Sequence, residues 1–201
     1  MLSKSVLAAL AAAGIAFVVA LAVLGGAGIG SGSVSSGGGI PVMCSAVCGE
    51  VAGEVPAGPA ASFGLPVSYA IPADADPAEV VAVGYALAQL GKAYRWGAAG
   101  PDEFDCSGLT MQAWAQGGVP LAHFTVDQLA EGAPVTNLAL MSPGDLILTP
   151  GSDGTLAAPG HVGLYIGDGL VESAVDPAEG VIVQNWSAFI SGGLSGVRHI
   201  G

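Results

Sequence analysis

The chain has 201 residues, enough for one ordinary domain with a tail or anchor but not for two large domains. Charged residues are 10% of it and hydrophobic residues 52%, which excludes an acidic disordered chain, because such chains are poor in apolar residues. Four Lys and Arg against sixteen Asp and Glu give a net charge of −12, the wrong sign for binding nucleic acid through its phosphates.

The N-terminus reads as a targeting or anchoring segment. Val6 to Leu24 is an apolar run of 19 residues, and no charged side chain occurs from Ser5 to Cys48. A span of about 18 or more apolar residues is long enough to cross a bilayer, whereas the apolar part of a cleavable signal usually runs about 7–15. Residues 1–30 are therefore expected to form a signal-anchor or transmembrane helix, with Ala20-Leu21-Ala22 leaving a cleavage site open. Lys4 precedes the run and the next positive residue is Lys92, so the positive-inside bias exports everything after the helix. The expected location is the cell membrane with the folded domain outside, or the cell wall if the helix is cleaved.

Residues 31–72 read as a flexible Gly/Ser/Pro-rich linker, extended between Pro56 and Pro72. Cys44 and Cys48 lie within it. On a helix, residues four apart have Cα atoms roughly 6 Å apart, inside the disulfide range. An exported segment favours the oxidised pair. Metal binding there is the weaker reading, since no His or further Cys lies near. Cys106 is left over, either buried and inert or chemically employed.

The folded part is expected over residues 73–201. Asp76 caps a helix, Pro77 fits its first position, and Glu79 can complete a capping box. Val80, Val81, Val83, Leu87 and Leu90 carry that helix to Gly91. Asp105 caps a second helix running to about Gln116, and Phe124 to Ala130 reads as a short third. Strands follow at Leu146–Leu148, Val162–Ile166, Leu170–Val175 and Val181–Gln184, with Gly167-Asp168-Gly169 as a hairpin turn. Helices first and an antiparallel sheet after is an α+β arrangement.

Two residues in this map carry chemistry. Cys106 sits in the first turn of the second helix, where unsatisfied backbone N–H groups favour a thiolate. His161 begins a strand between Gly160 and Gly163. A thiol nucleophile needs a base, and imidazole is the usual one near neutral pH. The other histidines are His123, in a polar loop, and His199, at the C-terminal edge.

Four blocks resemble the NlpC family of bacterial cell-wall cysteine peptidases. They are Tyr94-Arg95-Trp96-Gly97, Phe104-Asp105-Cys106-Ser107-Gly108-Leu109, Ser142-Pro143-Gly144-Asp145-Leu146, and Gly160 through Gly169 (GHVGLYIGDG). The resemblance runs from about Pro77 to the C-terminus. It implies a papain-like fold of N-terminal helices packed on a small antiparallel sheet. It also implies hydrolysis of amide bonds in peptidoglycan stem peptides, often after a γ-linked D-glutamyl residue. Cys106 becomes the nucleophile and His161 the general base. Tyr94 matches a tyrosine beside the nucleophile that helps hold the oxyanion, and Asp105 and Ser107 match residues beside the substrate's acidic and amino groups. The family places His, Asn or Gln twelve residues after the strand histidine. Here that position is Ser173, beside Glu172, whose carboxylate is the better acceptor for an imidazole N–H. Strand alternation lets only one of the two face inward, and both stay open as the third catalytic residue. No metal or cofactor is implied. The expected partners are the stem peptide and, through the N-terminal helix, the membrane. Two other readings stand beside the hydrolase: a non-catalytic muropeptide-binding or envelope scaffold protein, and another papain-like amidase or acyltransferase.

Overall fold

The computed structural model describes residues 59–201. The expected anchor at 1–30, the linker up to residue 58 and the Cys44–Cys48 pair lie outside the described residues. No helix among the described residues is long and apolar enough to cross a membrane.

The folded unit begins earlier than residue 73. Residues 59–72, expected to be linker, pack onto the domain. Pro59–Phe63 forms a 3-10 turn. Leu65 is buried in the main core, and Tyr69 Oη donates to the Ile166 carbonyl at 2.5 Å. The Phe63 ring covers Gly91, where a Cβ would come within 2.4 Å of it. Widely spaced apolar residues do this work, so a Pro- and Ala-rich composition conceals it.

The helices and strands run in the order α1 Pro77–Leu87, β1 Ala93–Tyr94, β2 Glu103–Phe104, α2 Cys106–Gln116, α3 Thr125–Gln128, β3 Ala133–Pro134, β4 Leu146–Thr149, β5 His161–Gly167, β6 Leu170–Ala174, β7 Val181–Asn185, α4 Trp186–Phe189 and β8 Gly196–His199. Asp76 caps α1 with the full reciprocal box to Glu79, and Asp105 caps α2 through its bond from Gly108 N–H. The large sheet has the order β3-β8-β4-β5-β6-β7, with every neighbouring pair antiparallel. β1 and β2 form a separate parallel pair just before the cysteine helix. The architecture is the expected α+β.

Alternation divides the sheet into two apolar faces. Leu146, Leu148, Val162, Leu164 and Ile166 pack with Ala82, Val83, Ala113 and Trp114 of α1 and α2. Ile147, Val171 and Val197 pack on the opposite face with Phe189 of α4. Gly163 lets α4 approach β5, since a Cβ there would lie 2.7 Å from the Phe189 ring. This layering delivers the first turn of α2 and the first residue of β5 to one end of the sheet.

Candidate active site

Cys106 opens α2 because Asp105 stops the backbone in an extended conformation and caps the helix behind it. The Asp105 carboxylate ties three segments together. Its Oδ1 accepts from Gly108 N–H at 2.7 Å and its Oδ2 from Gly97 N–H at 2.7 Å, so the loop after Tyr94 is bolted to the nucleophile helix. His123 Nε2 lies 2.9 Å from Oδ1, and Ser107 Oγ donates to the same oxygen at 3.3 Å. Asp105 and the Ser107 hydroxyl thus bond each other inside the fold. From the sequence His123 falls in a polar loop, and this contact has no local signal there. Gln128 has none either. It is fully buried and donates to the Ser107 and Ala122 carbonyls at 3.1 and 2.7 Å, holding the His123 loop against α2.

A cleft of about 360 Å³ opens beside these elements, lined by Tyr94 and Trp96, the Gly151–Asp153 segment, Gly160 and His161, and Val175–Pro177. Trp96 is 73% exposed and presents an apolar wall to solvent. Cys106 is recessed, at 5% exposure, and is not part of the lining. Backbone N–H groups of Val162, the residue after His161, and of Ser107 and Cys106 itself act in favour of its thiolate. Tyr94 lines the cleft, and the charge of the same thiol acts on its phenol. The His161 ring packs on Phe189, with centroids 5.4 Å apart. Among the described residues no hydrogen bond joins the imidazole to Cys106.

Burial dominates the protonation of these groups. It pushes the Cys106 thiol up to about 11, which the surrounding amide N–H groups only partly offset. The thiolate-favouring helix start expected from the sequence is outweighed by desolvation. Burial also lowers the His161 imidazole to about 4, opposed by the charge of Asp153. Tyr94 is raised to about 12, first by burial and then by Cys106. At neutral pH the site holds a neutral thiol, a neutral imidazole and a protonated phenol. Such a set can act only by moving the thiol proton as the sulfur attacks, with imidazole as general base.

The two candidates for a third residue separate cleanly. Leu164 pairs with Glu172 across β5 and β6, so Glu172 shares the helix-facing side with Leu164. His161 and Gly163 face the other way, towards α4, and Ser173 shares their face. Glu172 therefore cannot orient His161, a correction to the reading that kept it open on chemistry. Both its oxygens are buried without a partner, and burial raises its carboxyl well above the usual range. Ser173 has the right face, but its hydroxyl is buried without a partner and carries no charge. Among the described residues no group of three His, Cys, Asp or Glu side chains could hold a metal ion.

Residues 91–190 match the NlpC/P60 family. A probable endopeptidase of Mycobacterium tuberculosis is 44% identical over 108 residues, 54% of this chain and 26% of that protein. A probable endopeptidase of Corynebacterium glutamicum is 34% identical over 136 residues, 68% of this chain and 54% of that protein. This chain therefore spans about a quarter to about a half of the length of these relatives. Among solved structures, the NlpC/p60 domain of the peptidoglycan hydrolase SagA superposes with a TM-score of 0.53 at 27% identity, covering 61% of this chain and 98% of that one. Through residues 91–190 the chain belongs to the NlpC/P60 family.

Proposed function

We propose that the chain is a cell-wall hydrolase that cleaves amide bonds in peptidoglycan stem peptides as a D-glutamyl-type endopeptidase. The observation that carries this reading is the seam between α2 and β5. There the backbone amide of the residue after His161 favours the Cys106 thiolate, and Tyr94 and His161 line the adjoining cleft. The SagA neighbour is itself described as a peptidoglycan hydrolase.

In this mechanism Cys106 Sγ attacks the scissile carbonyl while neutral His161 accepts the thiol proton. The carbonyl oxygen becomes an oxyanion held by N–H groups at the start of α2 and by the Tyr94 hydroxyl. Losing one such donor typically costs about 10²–10³ in rate. Protonated His161 then gives its proton to the leaving amine, which departs as the thioester forms. Water, deprotonated by His161, releases the acyl group and restores the thiol. Membrane anchoring through residues 1–30 places this reaction outside the cell.

The missing Cys106–His161 hydrogen bond and the uncharged Ser173 favour a second reading, a muropeptide-binding protein without turnover. Digestion of purified peptidoglycan by the full chain, followed by mass spectrometry of the muropeptides, separates the two. New termini on the D-glutamyl bond support the endopeptidase. Intact muropeptides retained on the protein support the binder.

A further inference from the structure

The His161 imidazole has a neutral residue at the position that would orient it, and Glu172 faces the wrong way. The geometry points to Asp153, on the loop between β4 and β5, as a positioning residue that supplies the negative charge facing His161. This rests on the proposed Cys–His chemistry and deepens it.

The loop is folded tightly. Gly154 and Gly160 N–H both donate to the Pro150 carbonyl, at 2.9 and 3.1 Å. That fold lays Asp153 alongside the residue before His161, where a Cβ on Gly160 would lie 3.0 Å from Asp153 Oδ1. The same loop covers His161 directly, with a Cβ on Gly151 only 2.9 Å from His161 Cβ. Asp153 and His161 line the same cleft. The other titratable groups around the imidazole do not substitute for it. Asp176, from the β6–β7 turn, spends its Oδ1 on Ala178 and Glu179 N–H at 2.7 and 2.9 Å. Tyr94 from β1 and Cys106 from α2 are neutral at pH 7, and α4 contributes only the Phe189 ring. The Asp153 carboxylate accepts from Ser152 Oγ at 3.2 Å and is otherwise open to the cleft.

The consequence is electrostatic. As the proton passes from Cys106 Sγ to the imidazole, the new positive charge appears beside an anion. Burial opposes that charge and Asp153 favours it. A negative side chain on a loop does for this site what a polar strand residue does elsewhere, and it does so from solvent, so salt weakens it.

The chain has three histidines, so isotope-labelled histidine resonances of the full chain can be followed one by one. Asp153→Asn should lower the His161 titration midpoint by about half a pH unit or more at low salt, with most of the difference gone at 1 M salt. Asp153→Glu should retain the wild-type midpoint. Asp168→Asn, which removes an equal charge from the β5–β6 hairpin, should leave it unchanged. In a second measurement, iodoacetamide labelling of the Cys106 peptide at pH 7 should slow about threefold in Asp153→Asn, the fold-change equal to half a pH unit. Equal midpoints in wild type and Asp153→Asn would overturn the assignment, as would an equal loss in Asp153→Glu. A chain that titrates as expected yet leaves peptidoglycan intact keeps the Asp153 assignment and rejects the hydrolase.

Discussion

Two ends of the sheet hold a histidine in opposite ways. At the end of β8, His199 Nδ1 lies 2.8 Å from Asp145 Oδ1, and Asp145 is 1% exposed with its Oδ2 accepting from Ser142 N–H at 3.0 Å. Both groups are committed, and the pair closes the turn before β4 onto the neighbouring strand β8. At the start of β5, His161 has an aromatic neighbour and no hydrogen-bonded carboxylate among the described residues. The first arrangement uses the imidazole as a strut. The second leaves a ring nitrogen free to take a proton, which a general base requires. Histidine chemistry is the same at both places; what differs is whether the surrounding structure has already used it.

The largest test of that contrast is removal of the reacting groups. Cys106→Ala and His161→Ala should each abolish release of muropeptide fragments, a loss of at least about 10³ in rate on the proposed mechanism. His199→Ala should leave hydrolysis intact, because its imidazole is bound at the far end. Turnover by Cys106→Ala, measured by mass spectrometry of the digest, would refute the endopeptidase.

The strut should fail through stability instead. Asp145→Ala leaves Ser142 N–H and His199 without their acceptor and should cost about 2–3 kcal/mol, read as a lower denaturant midpoint. Burial raises the Asp145 carboxyl and His199 partly offsets that.

Glu172 gives an effect of opposite sign. Its folded pKa is raised above the unfolded value, so the group costs no stability below the unfolded pKa and costs more as pH rises towards the folded one. The slope is about 1.4 kcal/mol per pH unit over that window. Glu172→Gln should therefore match wild type near pH 4 and exceed its melting temperature increasingly above it. Thermal melts across pH check this. Hydrolysis at neutral pH should not change, because the side chain lies on the helix-facing side of β6.

The caps of α1 and α2 were legible because they depend on neighbouring residues: Asp76 with Glu79, and Asp105 with Gly108. The β5–β6 hairpin was legible for the same reason, through its Gly-Asp-Gly turn. Elements defined by distant partners were not. β1 and β2 are two residues each, and β8 is four residues after a Gly-rich loop, too short to show a period. The strap at 59–72 looked like linker because only Leu65, Tyr69 and Ile71 anchor its later part to the core. In the site, spacing identified Cys106 and His161. It could not weigh desolvation against the helix start, nor say which of Glu172 and Ser173 faces the histidine. Both depend on the packed sheet.

The smallest expected effect is also the one that divides the two accounts of His161. Ser173 lies on the histidine's side of β6, and its Oγ is buried without a partner. If that hydroxyl oriented the imidazole during turnover, Ser173→Ala would slow hydrolysis about tenfold or more, as loss of a positioning contact does. With the compensating charge on Asp153, the serine has little to contribute. Ser173→Ala should then change the rate by about twofold or less. It should hold stability level or raise it slightly, since removing an unsatisfied buried hydroxyl relieves a desolvation cost. Steady-state rates for Ser173→Ala, Asp153→Asn and the double variant settle the matter. A double variant within about twofold of Asp153→Asn alone assigns the histidine's support to the loop, and one slower by about tenfold or more returns it to the strand.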